Sequence, residues 1–212
     1  AAYKHVRFCE QNRGACYRVN VQGARNAYTV AGERRFVFLS SDKAIEPECV
    51  MGKAKATVES DLRRHRSNAN IVRFGNVLGS RGSILPAVIR YRDLQQPIPM
   101  TDPKMTRFFM PITEAVWIIG QALNAPEGGQ VFTTATPRSA RIGKFIAVCR
   151  ALLAPAHPIA TVGKRPGEKM HEKLITNDGE LIQSDDERFI MEHVDIVHMV
   201  EGTLNLNRAC VA

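Results

Sequence analysis

The feature that most narrows the fold is an alternation of short apolar runs with helical stretches. RFVFLS (35–40) and NIVRFG (70–75) are brief runs rich in β-branched and aromatic residues, as buried strands are; between them VMGKAKATVESDLRRHR (50–66) has helical composition and spacing. The pattern continues with a helix in SILPAVIRYRDLQ (83–95), a short strand in RFFM (107–110) and a helix in TEAVWIIGQALNA (113–125). A strand in QVFTTA (130–135) and a helix in RIGKFIAVCRALL (141–153) follow, and Pro86 fits only the first turn of its helix. Ahead of the first strand, YRVNVQGARNAYTVAG (17–32) reads as a helix stopped by Gly32. Strands alternating with helices build βαβ units, so the expected class is α/β on a largely parallel sheet. Beyond residue 177 the pattern turns polar and places no element.

Composition removes several function classes. No apolar run approaches the ~18 residues of a membrane helix, and no signal-peptide pattern is present. The chain opens AAYKHV without an initiating Met, so the expectation is a fragment. Cysteines at 9, 16, 49, 149 and 210 show no CxxC and no Cys/His pairing, which predicts free thiols and no metal site. The net charge of +8 raises the question of an anionic partner. Arg34-Arg35 and Arg63-Arg64-His65-Arg66 lack interleaved aromatics and match no nucleic-acid module, so nucleic acid is not expected. A phosphorylated small molecule fits at least as well, as does plain solvated charge.

Ligands of parallel sheets bind at the carboxyl ends of the strands. Ser40 to Lys43 follow one predicted strand and Asn76 to Arg81 the next, so two polar loops are expected to share a crevice. GNVLGSRG (75–82) could form a phosphate loop or a flexible turn; it is neither GxGxxG nor GxxxxGK[ST], and no other stretch supplies either. In RPGEK (165–169), Arg165 could grip a diphosphate and Glu168 accept from sugar hydroxyls; a surface turn with a local ion pair explains the segment equally. MTDPKMTRFFM (100–110) fits an edge strand. Asp42-Lys43 suits a proton-transfer pair, with a neutral Lys as base and a protonated Asp as acid, provided burial beside other cations lowers the lysine's pKa. A surface pair at a helix entrance is the plainer alternative.

AAYKHV, SSDKAIEP, VMGKAK, VRFGNVLGSRGSILP, MTRFFM and RPGEKMHE occur in one order and at one approximate spacing. As a set they resemble the nucleotide-sugar branch of the extended short-chain dehydrogenases. The resemblance is to the inverting UDP-N-acetylglucosamine 4,6-dehydratases and related capsule-type polysaccharide biosynthesis proteins, over roughly residues 1–180. It implies a Rossmann-like domain binding NADP, with NAD as the alternative, and a smaller C-terminal part holding a UDP-sugar. The implied reaction oxidises C4 of the sugar by hydride transfer to the cofactor. The ketone then acidifies the C5 proton, water leaves from C6, and the hydride returns to C6.

Matched by position, Asp42 and Lys43 stand where the family has its C6 acid and C5 base, and Lys55 where a lysine holds the nicotinamide ribose. Ala1, Ala2 and Ser40 match cofactor-side positions. Lys4, Lys43, Asn76, Thr101, Met105, Arg165 and Glu168 match substrate-contacting ones. Met51 stands where the short-form dehydratases carry the Tyr of YxxxK; a thioether cannot move the 4-hydroxyl proton, which would leave that step to Asp42 or Lys43. Long membrane-anchored forms and some capsule-type UDP-glucose 4-epimerases resemble VMGxxK here. The family's first strands and glycine fingerprint have no counterpart in the chain. It therefore divides into the C-terminal portion of a Rossmann domain (1–95), a substrate-binding portion (96–180) and a tail (181–212). The expected activity, in the intact parent of this chain, is C5-inverting UDP-N-acetylglucosamine 4,6-dehydration. A 4-epimerase, or an inactive UDP-sugar-binding remnant, are the alternatives. A cytoplasmic homo-oligomer is implied, with no membrane segment in this chain and an upstream anchor left open.

Overall fold

The computed structural model describes residues 2–64 and 68–209, with side chains through residue 206. Two short helices, α1 (Val6–Gln11) and α2 (Arg13–Tyr17), lead through a π-helical turn at Arg18–Gln22 into α3 (Gly23–Ala31). Gly32 ends this run at φ 57°, a left-handed conformation that costs a residue without Cβ little. β1 (Phe36–Ser41) follows, then a 3-10 turn at Asp42–Ala44 and α4 (Val50–Arg64). Next come β2 (Ala69–Phe74), β3 (Asn76–Val77), α5 (Ile84–Asp93), β4 (Ile98–Met100), β5 (Thr106–Met110) and α6 (Ile112–Asn124). The chain continues with β6 (Val131–Phe132), β7 (Ser139–Arg141), α7 (Ile142–Leu153) and β8 (Ile159–Thr161). It finishes with β9 (Lys173–Ile175), β10 (Leu181–Gln183) and α8 (His193–Ala209).

The class is α/β. β1, β2 and β6 form a parallel sheet in that order, in register from Phe36 opposite Ala69 to Ser41 opposite Phe74, with Ile71 opposite Val131. β3 runs parallel to β5, and β5 antiparallel to β7, so RFFM is an interior strand and not the edge its sequence also fitted. β4 pairs with β8, and β9 with β10. β6 is shorter than QVFTTA predicts. Thr133 leaves the ladder because its N–H donates to Asn177 Oδ1 (3.0 Å) and its hydroxyl to the Arg73 carbonyl (3.0 Å).

Two large cores fix these layers. Under β1 and α4, Cys9, Cys16, Phe38, Met51, Val58 and Ile71 pack together. The other joins α5, α7 and α8, where the rings of Phe109 and Phe145 stack at 4.0 Å. Each such ring removed from water stabilises by about 1.5–3 kcal/mol. Cys9, Cys16, Cys49 and Cys149 are buried free thiols. Cys210 lies outside the described residues, as do His65 and Arg66 of the basic cluster and the last two residues predicted for α4.

Candidate active site

The loops after β1 and β2 open on one crevice of about 600 Å³. Ser40, Ser41 and Lys43 form one wall, Gly75, Asn76 and Ser80 another. Lys4 and Lys55 complete the polar lining, and Leu39, Phe74, Ile112 and Val116 supply an apolar one. Three ammonium groups around one concavity favour an anionic ligand.

Local chemistry shapes the first wall. The Ser41 hydroxyl accepts from the Lys43 N–H (3.2 Å) and donates to Asp42 Oδ1 (2.8 Å), which tightens the turn as β1 ends. Asp42 is wholly buried, and Lys43 Nζ donates to its Oδ1 at 3.0 Å. The same Nζ lies 3.3 Å from Glu172 Oε1. Burial pulls the Lys43 ammonium downward, but the carboxylates of Asp42 and Glu172 outweigh that pull. Its pKa ends above the ordinary lysine range. This corrects the neutral lysine expected from sequence: two carboxylates, not other cations, dominate its surroundings.

α4 fits against this turn through Gly52. A Cβ built there would stand 2.1 Å from the Lys43 carbonyl oxygen. Alanine is intrinsically better in a helix by about 1 kcal/mol, yet crowding against fixed backbone costs ~1–3 kcal/mol or more. The clash wins. Gly52→Ala is expected to lower Tm by roughly 2–10 °C and to displace the Lys43 turn, as calorimetry and a crystal structure of the variant would show; an unchanged melting curve would refute the contact.

Lys55, one helical turn beyond Met51, donates to the Leu39 carbonyl at 2.6 Å and lies 4.6 Å from the Phe38 ring centroid. Burial holds its pKa below the ordinary value, against the pull of Glu59. Behind it Glu59 accepts from Ser40 Oγ (2.5 Å) and pairs with Arg73 Nε and Nη2 (3.0 and 2.5 Å) in a buried network. Lys4 reaches Ser80 Oγ at 3.3 Å. Its pKa is lowered by burial and then by Arg81. Gly82 approaches His5 so closely that a Cβ would stand 2.4 Å from its ring. The glycine loop is thereby pinned to the start of α1.

Of the positions matched from sequence, Ala2, Lys4, Ser40, Lys43, Met51, Lys55 and Asn76 line the crevice. Asp42 sits directly behind Lys43, without a place on the wall. Ala1 lies outside the described residues. Met105 is core, its sulfur accepting from Thr101 Oγ1 (3.3 Å), and the Glu168 carboxylate turns back onto the Arg165 N–H (3.0 Å); none of these four is on the wall. Their segment reaches the site differently. Lys169 donates to the Ile45 carbonyl at 2.8 Å, and Glu172 meets Lys43. Glu172, Arg107 and Gly52 were not singled out by sequence, although all three sit inside the quoted RPGEKMHE, MTRFFM and VMGKAK. Among the described residues no cluster of His, Cys, Asp and Glu suits a metal, and no helix is long and apolar enough to cross a membrane.

The family model described as "Polysaccharide biosynthesis protein" matches residues 1–194. A relative named an uncharacterized membrane protein, from Methanocaldococcus jannaschii, is 40% identical over 192 residues, covering 82% of this chain and 57% of its own. The inverting UDP-N-acetylglucosamine 4,6-dehydratase of Campylobacter jejuni is 30% identical over 84% of this chain and 55% of its own length. A UDP-glucose 4-epimerase of Rickettsia canadensis is 31% identical over the same shares, 84% and 55%. The chain thus spans little more than half of these relatives. Among solved structures, Pen from Bacillus thuringiensis superposes with a TM-score of 0.86 at 27% identity, over 95% of this chain and 73% of that one. DesIV, a dTDP-glucose 4,6-dehydratase of Streptomyces venezuelae solved with NAD and TYD bound, gives 0.78 at 18% identity, over 99% and 72%.

Proposed function

This chain belongs to the polysaccharide biosynthesis protein family, and from that premise we propose that its crevice works on a UDP-sugar as a C5-inverting UDP-N-acetylglucosamine 4,6-dehydratase. The observation that carries it is Lys43 on the crevice wall with Asp42 held against its amine, beside Asn76 and a lysine-lined rim. NADP is the proposed cofactor, with NAD as the alternative, and the cytoplasm, where such nucleotides are made, the proposed compartment. Lys55 and Ser40 would hold the nicotinamide riboside: an ammonium fixed at the Leu39 carbonyl of β1, in a crevice that Ile112 and Val116 also line, suits a flat, partly polar ring with its ribose. No GxGxxG stretch for the pyrophosphate occurs in the 212 residues. When bound, the nicotinamide supplies hydride acceptance and return.

The chain's own groups do the rest. Once Lys43 Nζ has passed its resting proton to the carboxyl behind it, the neutral amine takes the C5 proton, whose acidity the C4 ketone provides. The Lys43–Asp42 pair supplies through the amine the proton that leaves with the C6 hydroxyl. The cationic rim orients the diphosphate, and the apolar wall excludes water from the reacting carbons. Met51 carries no exchangeable proton, so the 4-hydroxyl proton also falls to Lys43. A proton from solvent adds to the opposite face of C5 when the hydride returns to C6, which balances the two protons taken against the two delivered.

Epimerisation at C4 is the second possibility, favoured by Met51, which resembles the capsule-type epimerases, and by the Rickettsia relative. Mass spectrometry together with NMR of the product from UDP-N-acetylglucosamine separates them. Dehydration yields a product lighter by one water; a product of unchanged mass with a new C4 configuration would replace the dehydratase proposal.

A further inference from the structure

Behind Lys43 lies more acid than one base needs. Asp42 and Glu172 are 0% and 2% exposed, and both face the one amine. Neither lines the crevice, whereas Lys43 does. Any proton that either carboxyl exchanges with the crevice therefore passes through Lys43.

One oxygen of each carboxyl, Asp42 Oδ2 and Glu172 Oε2, is buried with no hydrogen-bond partner. A buried carboxylate oxygen left bare is costly, and a proton on it removes most of that cost. The other groups facing the cluster are few. Arg107 Nε stands 3.9 Å from Glu172 Oε1, and the guanidinium is itself held by the carbonyls of Thr106, Lys169 and Met170. The Cys49 thiol feels Lys43, Glu172 and, farther back, Glu10. Burial lifts the Glu172 carboxyl above its ordinary range; Lys43 and Arg107 pull it back and Asp42 pushes it further up. Backbone contacts hold Glu172 rigidly: its N–H donates to Ser184 Oγ, and the Ser184 N–H donates to its carbonyl (2.9 Å each).

We propose that Glu172 is a positioning residue that seats the Lys43 amine and exchanges a proton with it, acting as a buried proton store behind the crevice. The step balances within the pair. Transfer from Nζ to the carboxylate leaves a neutral amine and a neutral carboxyl, and the return restores the ion pair. Desolvation favours the neutral pair and Coulomb attraction the ionic one, so a ligand that closes the crevice and excludes water shifts Lys43 toward its basic form. The use of this store at C5 rests on the function proposed above; the charge state of Lys43 does not.

The test labels Lys43 with an amine-acylating reagent across pH, read by peptide mass spectrometry, in the wild-type chain, Glu172→Gln and Glu172→Asp. Gln keeps size and hydrogen bonding but drops a charge and cannot accept the proton. The Lys43 labelling curve is expected to move to lower pH, with about tenfold faster labelling at fixed pH for each pH unit moved. Asp should keep the curve near wild type, and Lys55 serves as the unshifted control. Superimposable Lys43 curves in a folded Gln variant overturn the proposal. Should that variant not fold, a wild-type Lys43 curve matching that of the exposed Lys104 overturns it instead. In a protein with dehydratase turnover, Gln is expected to lower kcat tenfold or more with KM little changed, and an unchanged kcat would overturn the proton exchange. A wild-type protein with no turnover defeats the proposed function while leaving the labelling result intact.

Discussion

Replacing Lys43 by alanine is expected to cut turnover of the nucleotide sugar by about 10²–10⁴-fold, the range that a positioned acid–base group contributes, with nucleotide affinity little changed. Lys43 is the group of the Asp42–Lys43–Glu172 cluster that reaches the crevice, so nothing behind it substitutes at the sugar ring. Lys4 and the loop after β2 stay in place to meet the diphosphate. The comparison needs kcat by product formation alongside calorimetry with UDP. The variant also leaves two buried carboxylates facing each other without their shared cation. Burial already lifts the Glu172 carboxyl, and without Lys43 its protonation becomes the relief, so its folded-state pKa stands further above the unfolded value. Stability of the variant is therefore present at acid pH and lost as pH rises through the carboxyl range. Near-normal turnover would remove Lys43 from the mechanism.

The second large effect is structural. Arg73→Ala is expected to destabilise the fold by about 3–5 kcal/mol, because it leaves Glu59 as a buried carboxylate without its guanidinium. For a chain of this size that corresponds to a fall in Tm of roughly 6–20 °C. The pair ties the C-terminal end of β2 to α4, and Ser40 at the crevice edge shares the same carboxylate. Removing both charges together, as Glu59→Leu with Arg73→Met, should recover most of the loss, since a well-packed apolar pair costs less than a lone buried charge. A double variant no better than Arg73→Ala would show that the network contributes more than charge compensation.

The parallel strands and long helices were legible because burial writes itself into local pattern. Phe36–Ser41 and Ala69–Phe74 are apolar runs, and α4, α5, α6 and α7 repeat apolar residues at helical spacing. The C-terminal elements were not. β9 and β10 are three residues each and bury mainly Leu174 and Ile182, while among its described residues α8 buries Ile196, Met199, Val200 and Thr203 between exposed positions such as Val194 and Glu201. In the site, Lys43, Lys55 and Asn76 follow strand ends or sit at motif spacing, and their convergence follows from parallel-strand geometry. The Lys43–Glu172 contact joins β1's loop to the strand pair near the C-terminus, and no local spacing encodes it. The charge state of Lys43 was misjudged for that reason: its second carboxylate comes from far along the chain.

The central claim, that this crevice deprotonates C5 of a UDP-sugar through Lys43, is tested most directly by running the reaction with UDP-N-acetylglucosamine and NADP in deuterated water and reading the product by NMR. The account predicts a 4-keto-6-deoxy product carrying solvent deuterium at C5, formed by wild type and lost with Lys43→Ala. A C4 epimer with no deuterium at C5 would contradict it.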